Sequence, residues 1–307
     1  MSILVFGHKN PDTDTICSAI AYAELKGKLG KDVKAVRLGE VNEETKFVLD
    51  YFKVEKPELI ESVSGKEIML VDHNERTQTA NGFEEAKVLE LVDHHRISNF
   101  NVDEPLYVRM EPVGCTATII LKLFKENNLL PEPTTAGLML SAIVSDTLLF
   151  KSPTCTGCDV KAGKELAEIA GVNVEEYGLE MLKAGTALGG KSESELINMD
   201  MKIFEVDGSK IGVAQVNTVN EAELLERKEK LLAEINNIIN KEGLKFFIFA
   251  ITNILSNDST GIVAGDGNAI IEKAFNEKID NNLIALKGVV SRKKQIIPPL
   301  TKAIQEA

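Results

Sequence analysis

Four histidines occur in 307 residues, and each stands just after a short apolar run with an aspartate close by. His8 follows Ile3-Leu4-Val5-Phe6-Gly7 and precedes Asp12 and Asp14. His73 follows Asp72 at the end of Ile68-Met69-Leu70-Val71, and His94 and His95 follow Asp93 at the end of the run Val88 to Val92. Asp146, in Ser145-Asp146-Thr147, comes after another apolar stretch. Imidazoles and carboxylates repeated at strand ends are the ingredients of a metal cluster.

Taken singly, these residues have ordinary explanations. Asp14 could cap a helix, Asp12 form a turn, Asp72 bond turn amides, and Asp146 close a helix. Their convergence makes a different chemistry. Asp12, Asp14, Asp72 and Asp146 carry four negative charges, which two divalent ions balance, with His8 and His94 as neutral ligands. Without the ions, four packed carboxylates would be costly. Asp72 would place one oxygen on each ion. Mixed imidazole and carboxylate donors suit Mn²⁺, Co²⁺ or Fe²⁺ better than Mg²⁺. The absence of cysteine from the set argues against structural zinc. Two such ions roughly 3.5–4 Å apart make a hydrolytic site, in which a shared water is activated and its hydroxide attacks a phosphoryl group in line. A phosphate substrate then needs cations. Ser291-Arg292-Lys293-Lys294-Gln295 is a compact basic cluster in which Arg292 could grip phosphate bidentately and Lys293 add a point charge. Standing alone, it would read as a solvated basic loop, and Lys202 would pass without notice.

The elements that must hold these residues follow from periodicity. Strands are predicted at 3–6, 33–37, 68–71 and 88–92, and helices over 13–30 and 42–52 with Asn42 as N-cap. Helices are predicted at 113–127, 134–144 with Thr134 as N-cap, 159–170 and 174–183. Short apolar strands alternating with helices define an α/β fold with a doubly wound, mainly parallel sheet, whose ligands collect at the carboxyl ends of the strands. A small polar stretch then separates residues 1–188, a metal-binding catalytic domain, from residues 196–307, with 189–195 as linker. The second part opens on a hairpin at Asp207-Gly208. It continues with a long helix from Asn220 to Lys241, strands at 244–255 and 261–264, a helix at 268–277 and a strand at 283–290. It reads as a smaller α+β domain.

Composition limits the alternatives. A hydrophobic content of 44% is that of a soluble globular protein. No apolar run approaches the roughly 18 residues of a membrane helix, and the chain opens directly on a strand with no signal-peptide pattern. Four sparse cysteines point to a reducing cytoplasm. Cys155-Thr156-Gly157-Cys158 has a redox or half-zinc spacing, but no second pair accompanies it, and the incidental reading is preferred. The net charge of −12 argues against nucleic acid as a partner.

The ordered motifs Gly7-His8-Lys9-Asn10-Pro11-Asp12-Thr13-Asp14-Thr15, Val71-Asp72-His73-Asn74-Glu75, Asp93-His94-His95-Arg96, Ser145-Asp146-Thr147 and Ser291-Arg292-Lys293-Lys294-Gln295 resemble those of the family II, manganese-dependent inorganic pyrophosphatases, within the DHH phosphoesterase superfamily. The Asp-His-His element marks the superfamily; the basic C-terminal motif is more specific. The resemblance implies that His8 and Asp12 bind one metal, that Asp14, His94 and Asp146 bind the other, and that Asp72 bridges them. It implies that His95 contacts substrate, as a proton donor toward the leaving oxygen, and that Lys202, Arg292 and Lys293 hold the phosphate groups. It further implies two tightly held Mn²⁺ per subunit, with Co²⁺ as an alternative, additional Mg²⁺ arriving with pyrophosphate, and a homodimer formed through the N-terminal domain. Asp93 and His73 are expected to orient ligands. Two other readings stay open: a DHH-type phosphoesterase acting on short oligonucleotides or phosphorylated nucleotides, and a metal-binding protein without turnover. Against the first stand the acidic charge and the absence of any histidine after His95.

Overall fold

The computed structural model describes residues 2–186, 188 and 190–306. Gly189, the first residue of the predicted linker, and Ala187 lie outside the described residues. Contacts divide the chain into two units, Met1–Gly185 and Thr186–Ala307.

The first unit contains β1 (Ile3–Phe6), α1 (Thr13–Lys28), β2 (Val33–Arg37), α2 (Glu43–Phe52), β3 (Glu58–Leu59), β4 (Glu67–Val71), β5 (Lys87–Asp93), β6 (Tyr107–Met110), α3 (Thr116–Glu126), α4 (Pro133–Thr147), α5 (Gly157–Ala170) and α6 (Val174–Gly185). Its six strands form one parallel sheet in the order β3-β2-β1-β4-β5-β6. A parallel sheet is covered on both faces, so its central strands are apolar throughout. Phe6, Ile68, Leu70 and Leu91 share one buried cluster with Val63 and Phe83. Val5, Met69 and Val71 are buried too, and by strand alternation they face the other side. The strand order reverses between β1 and β4. In open α/β sheets the crevice at that switch point takes the ligand.

The second unit contains α7 (Glu193–Asn198), β7 (Met201–Val206), β8 (Ser209–Thr218), α8 (Glu221–Leu225), α9 (Lys228–Glu242), β9 (Phe246–Asn253), β10 (Asp258–Gly265), α10 (Asn268–Phe275), β11 (Leu283–Leu286) and α11 (Ile297–Gln305). The sheet order is β11-β10-β9-β8-β7, parallel only between β8 and β9. Central strand β9 explains the longest apolar run. Phe247, Phe249 and Ile251 pack in one cluster with Leu231 and Ile235 of α9. Phe246, Ile248 and Ala250 pack in another with Ile271 of α10 and Leu300 of α11.

Several local expectations change. Helix α4 starts at Pro133 with Glu132 at the cap, not Thr134, because proline's fixed φ suits the first turn. Helix α7 begins at Glu193, inside the stretch read as linker, where Ser192 and Glu195 form a capping box. The long helix of the second unit is two helices, interrupted at Glu226-Arg227. Strand β11 ends at Leu286, so the approach to the basic motif is a loop. Both Asp207 and Gly208 have positive φ (48° and 72°), as a tight hairpin requires. Among the described residues no helix is long and apolar enough to cross a membrane.

Candidate metal centre

The switch point collects the predicted residues from three strand ends and two helices. His8 follows β1, Asp72 follows β4, and His94 follows β5. Asp12 and Asp14 lie at the start of α1, and Asp146 lies in the last turn of α4 rather than beyond it. Asp12, read as a turn former, takes the capping position read for Asp14. Its Oδ1 caps α1 by accepting from the Thr15 N–H at 2.9 Å, and its Oδ2 lies 3.2 Å from His8 Nε2. Asp14 is not a cap. It is buried, accepting from the Ser18 hydroxyl at 2.5 Å and from the Thr116 N–H at 2.7 Å.

Asp72 is the hub. It is 1% exposed, and its backbone sits in the left-handed region at φ 58°, a conformation that costs a non-glycine residue on the order of 1 kcal/mol and clusters at functional sites. Its two oxygens face different groups. Oδ2 is 3.6 Å from His8 Nε2, whereas Oδ1 is 3.5 Å from His94 Nε2 and 3.7 Å from His95 Nδ1. His94 Nε2 is also 3.7 Å from Asp146 Oδ2. Donor atoms of His8, Asp12 and Asp72 lie within 4.8 Å of one another, as do those of Asp72, His94 and His95, and those of Asp14, Cys115 and Asp146.

Neighbouring groups fix the orientation of these donors. His94 Nδ1–H donates to the Val113 carbonyl at 3.1 Å, which turns Nε2 toward Asp72 and Asp146. Asp93 Oδ1 accepts from both the backbone N–H and Nδ1–H of His95, at 3.0 and 2.9 Å. Its Oδ2 accepts from Asn74 at 2.6 Å. His73 behaves otherwise than expected: its Nδ1–H donates to the Val71 carbonyl, its ring packs on Phe6, and its buried Nε2 has no partner. Burial holds its pKa down at about 4, so the ring is neutral.

Sequence reasoning gave no role in the site to Thr15, Thr116 or Cys115. Thr15 Oγ1 donates to Asp72 Oδ2 at 2.7 Å, and Thr116 Oγ1 donates to Asp72 Oδ1 at 3.1 Å. Hydroxyls adjoining capping positions carry no signal in one sequence. Gly7 is set by packing: a Cβ there would stand 2.5 Å from Thr15 Cγ2. Glycine therefore lets Thr15 approach the sheet. Glu44 of α2 accepts from Thr13 at 2.6 Å and from Ser145 at 2.5 Å, tying the helix start that bears Asp12 and Asp14 to the helix end that bears Asp146.

The electrostatics fit divalent cations. Burial and the charges of Asp14 and Asp12 push the Asp72 carboxyl up to about 7 against the pull of His94. Burial and the charges of Asp14, Asp72 and Asp12 likewise raise Asp146. Burial would lower His94, but its hydrogen bond to the Asp72 carboxylate and the charges of Asp14 and Asp72 lift it to about 9. Such a set of carboxylates, set against the imidazoles of His8 and His94, is a site short of positive charge. Nitrogen and carboxylate oxygen donors in this proportion are those of manganese-class ions.

Lys202, Arg292 and Lys293 belong to the second unit. Lys202 is exposed on β7 opposite Val213. Arg292 Nη2 pairs with Asp200 Oδ1 at 2.9 Å, and Lys293 is exposed.

A parallel six-stranded sheet with aspartates and imidazoles gathered at its switch point defines a DHH-type class. The family model described as DHH family, N-terminal domain, matches residues 2–143. The model described as DHHA2 domain matches residues 179–303. The chain is 59% identical over 304 residues to a "probable manganese-dependent inorganic pyrophosphatase" of Exiguobacterium sp., covering 98% of both chains. It is 56% identical over 305 residues to a protein of the same name from Bacillus cereus, covering 99% of both. A solved structure from Methanococcus jannaschii, assigned to the family II inorganic pyrophosphatases, is similar at 43% identity and a TM-score of 0.63, covering 99% of this chain and all of that one. The chain belongs to the family II, manganese-dependent inorganic pyrophosphatases.

Proposed function

We propose that this chain hydrolyses inorganic pyrophosphate to two phosphates with manganese held at the switch point of its first unit. One observation carries the reading: the two oxygens of buried Asp72 address two separate imidazole-bearing groups. Full-length identity to relatives named as manganese-dependent pyrophosphatases supports it.

His8 and Asp12 would hold one ion, Asp14, His94 and Asp146 the other, and Asp72 both. Bound divalent ions supply Lewis acidity, which stabilises charge on phosphoryl oxygens and makes water acidic near neutral pH. Water adds to one phosphorus as the bridging P–O bond breaks, and two orthophosphates leave. His95 is half-exposed, with Nδ1 held by Asp93; its free Nε2 would hold or donate a proton toward the departing oxygen. Lys202, Arg292 and Lys293 would carry the substrate's remaining negative charge. Two Mn²⁺ per subunit, Co²⁺ as a substitute, Mg²⁺ entering with pyrophosphate, a homodimer built on the N-terminal domain and a cytoplasmic location complete the proposal.

The test is phosphate release by purified protein loaded with Mn²⁺, measured on pyrophosphate and on a dinucleotide in parallel. Turnover of pyrophosphate with little on the dinucleotide is expected. Preference for the dinucleotide, or no turnover of either, overturns the reading.

A further inference from the structure

The loop bearing Arg292 and Lys293 is held from beneath by a chain of side chains that ends the mixed sheet of the second unit. Strand β9 is apolar on both faces from Phe246 to Ile251 and turns polar at Thr252, which is buried. Thr252 lies directly opposite Ser259 of β10. Their hydroxyls are 2.8 Å apart, and Ser259 Oγ donates to the Val289 carbonyl at 2.6 Å. Gln215 Nε2, from β8, donates to Thr252 Oγ1 at 2.8 Å. Proton direction is thus fixed along the row: the Gln215 amide donates to Thr252, Thr252 to Ser259, and Ser259 to the loop. Each hydroxyl gives once and receives once.

Gln215 also reaches the loop itself. Its Nε2 donates to the Val290 carbonyl at 3.0 Å, and its Oε1 accepts from the Arg292 N–H at 3.0 Å. One amide therefore spans the backbone on both sides of Ser291. The loop has left β11 at Leu286. Gln295 braces it from within, accepting from the Val290 N–H at 3.0 Å and donating to the Gly288 carbonyl at 2.7 Å. The Gln215 N–H donates at 3.3 Å to the Asp200 carbonyl, which also accepts from the Arg292 guanidinium. Backbone and side chain of Gln215 thus both bear on Arg292.

We propose that Gln215 is a positioning residue for the basic loop, with Thr252 and Ser259 fixing its amide. This rests on the reading of Arg292 and Lys293 as phosphate-holding groups. A guanidinium grips phosphate well only when its approach is set in advance. Ordering the loop during folding removes that entropy cost from substrate binding. Glutamate at 215 would keep the acceptor for Arg292 and lose the donors to Val290 and Thr252; leucine would lose all three bonds.

The test is steady-state kinetics on the full chain, loaded with Mn²⁺, for Gln215→Leu, Arg292→Ala and the double variant, with bound manganese measured alongside. Two lost bonds to the loop are expected to raise the KM for pyrophosphate about tenfold in Gln215→Leu. kcat should stay within about threefold and manganese content unchanged, because the effect is on substrate positioning. Gln215→Leu should add little in the Arg292→Ala background, since the two act through one loop. A raised KM in Arg292→Ala beside an unchanged KM in Gln215→Leu, or fully multiplicative effects, overturns the proposal while leaving the phosphate-binding reading in place. An unchanged KM in Arg292→Ala instead overturns that reading, and the proposal with it. Should Gln215→Leu fail to fold, Ser259→Ala removes a single bond to Val289. A KM raised about threefold there supports the proposal, and an unchanged one overturns it.

Discussion

Removing one hydroxyl beside Asp72 should loosen the metal without touching any ligand. Thr15 Oγ1 donates to Asp72 Oδ2 at 2.7 Å, and both residues are buried. Valine has nearly the shape of threonine but no donor, and the Thr15 N–H would keep its bond to Asp12. A hydrogen bond to a charged acceptor contributes ~1.5–3 kcal/mol, and outer partners of metal ligands are worth about 10- to 100-fold in metal affinity. Thr15→Val should therefore weaken Mn²⁺ binding roughly 10- to 100-fold, read by calorimetric titration of metal-free protein. The melting temperature of the metal-free variant should move only a few degrees, on the order of 1 kcal/mol. Thr116→Val should act in the same direction and less strongly, because its bond to Asp72 is longer, at 3.1 Å. Parental Mn²⁺ affinity in Thr15→Val would refute the idea that these hydroxyls hold the shared carboxylate for its ions.

Lys293→Ala should raise the KM for pyrophosphate roughly tenfold or more, the scale of a lost charge-assisted contact, while bound manganese stays constant; unchanged kinetics would exclude Lys293 from the site. Gly7→Ala places a Cβ 2.5 Å from Thr15 Cγ2 and should cost about 1–3 kcal/mol through overpacking. Weaker Mn²⁺ binding should accompany the lower melting temperature, and a fall in melting temperature alone would separate Gly7 from the metal. Buried Glu90 binds Lys26 at 2.6 Å and Lys31 at 2.9 Å and accepts from Tyr22. Burial would raise its pKa, but these three partners bring it below the usual glutamate value. A lowered carboxyl contributes stability above its unfolded pKa and loses it as pH falls through the folded one. The melting temperature should thus drop on acidification below about pH 4.5, and Glu90→Gln should flatten that limb; an identical acid limb in the variant would contradict the assignment.

The half of the chain that carries the candidate metal centre was legible because its histidines and aspartates sit at strand ends. Buried parallel strands are short apolar runs, so the residues just beyond them stand out, and His8, Asp72 and His94 were read from that pattern. The Asn42 cap and the hairpin at Asp207-Gly208 were legible for local reasons, in a side-chain oxygen and two positive-φ residues. Edge strands β3 and β6 escaped notice, since Glu58–Leu59 is very short and Tyr107–Met110 is partly exposed with no alternation. Helix α11 escaped because Pro298 and Pro299 suggest a break, yet they occupy its first turn, where no donor is needed. The roles of Thr15, Thr116 and Gln215 were invisible for a deeper reason. A hydroxyl or amide acts here through a partner dozens of residues away, and one sequence records no such pairing.

Anomalous X-ray scattering at the manganese edge, from crystals of the Mn²⁺-loaded protein, would measure the shared carboxylate directly. Two peaks about 3.5–4 Å apart are expected, one on the His8 and Asp12 side of Asp72 and the other on the His94 and Asp146 side. A single peak, or a pair in which Asp72 touches neither or only one ion, would contradict the account.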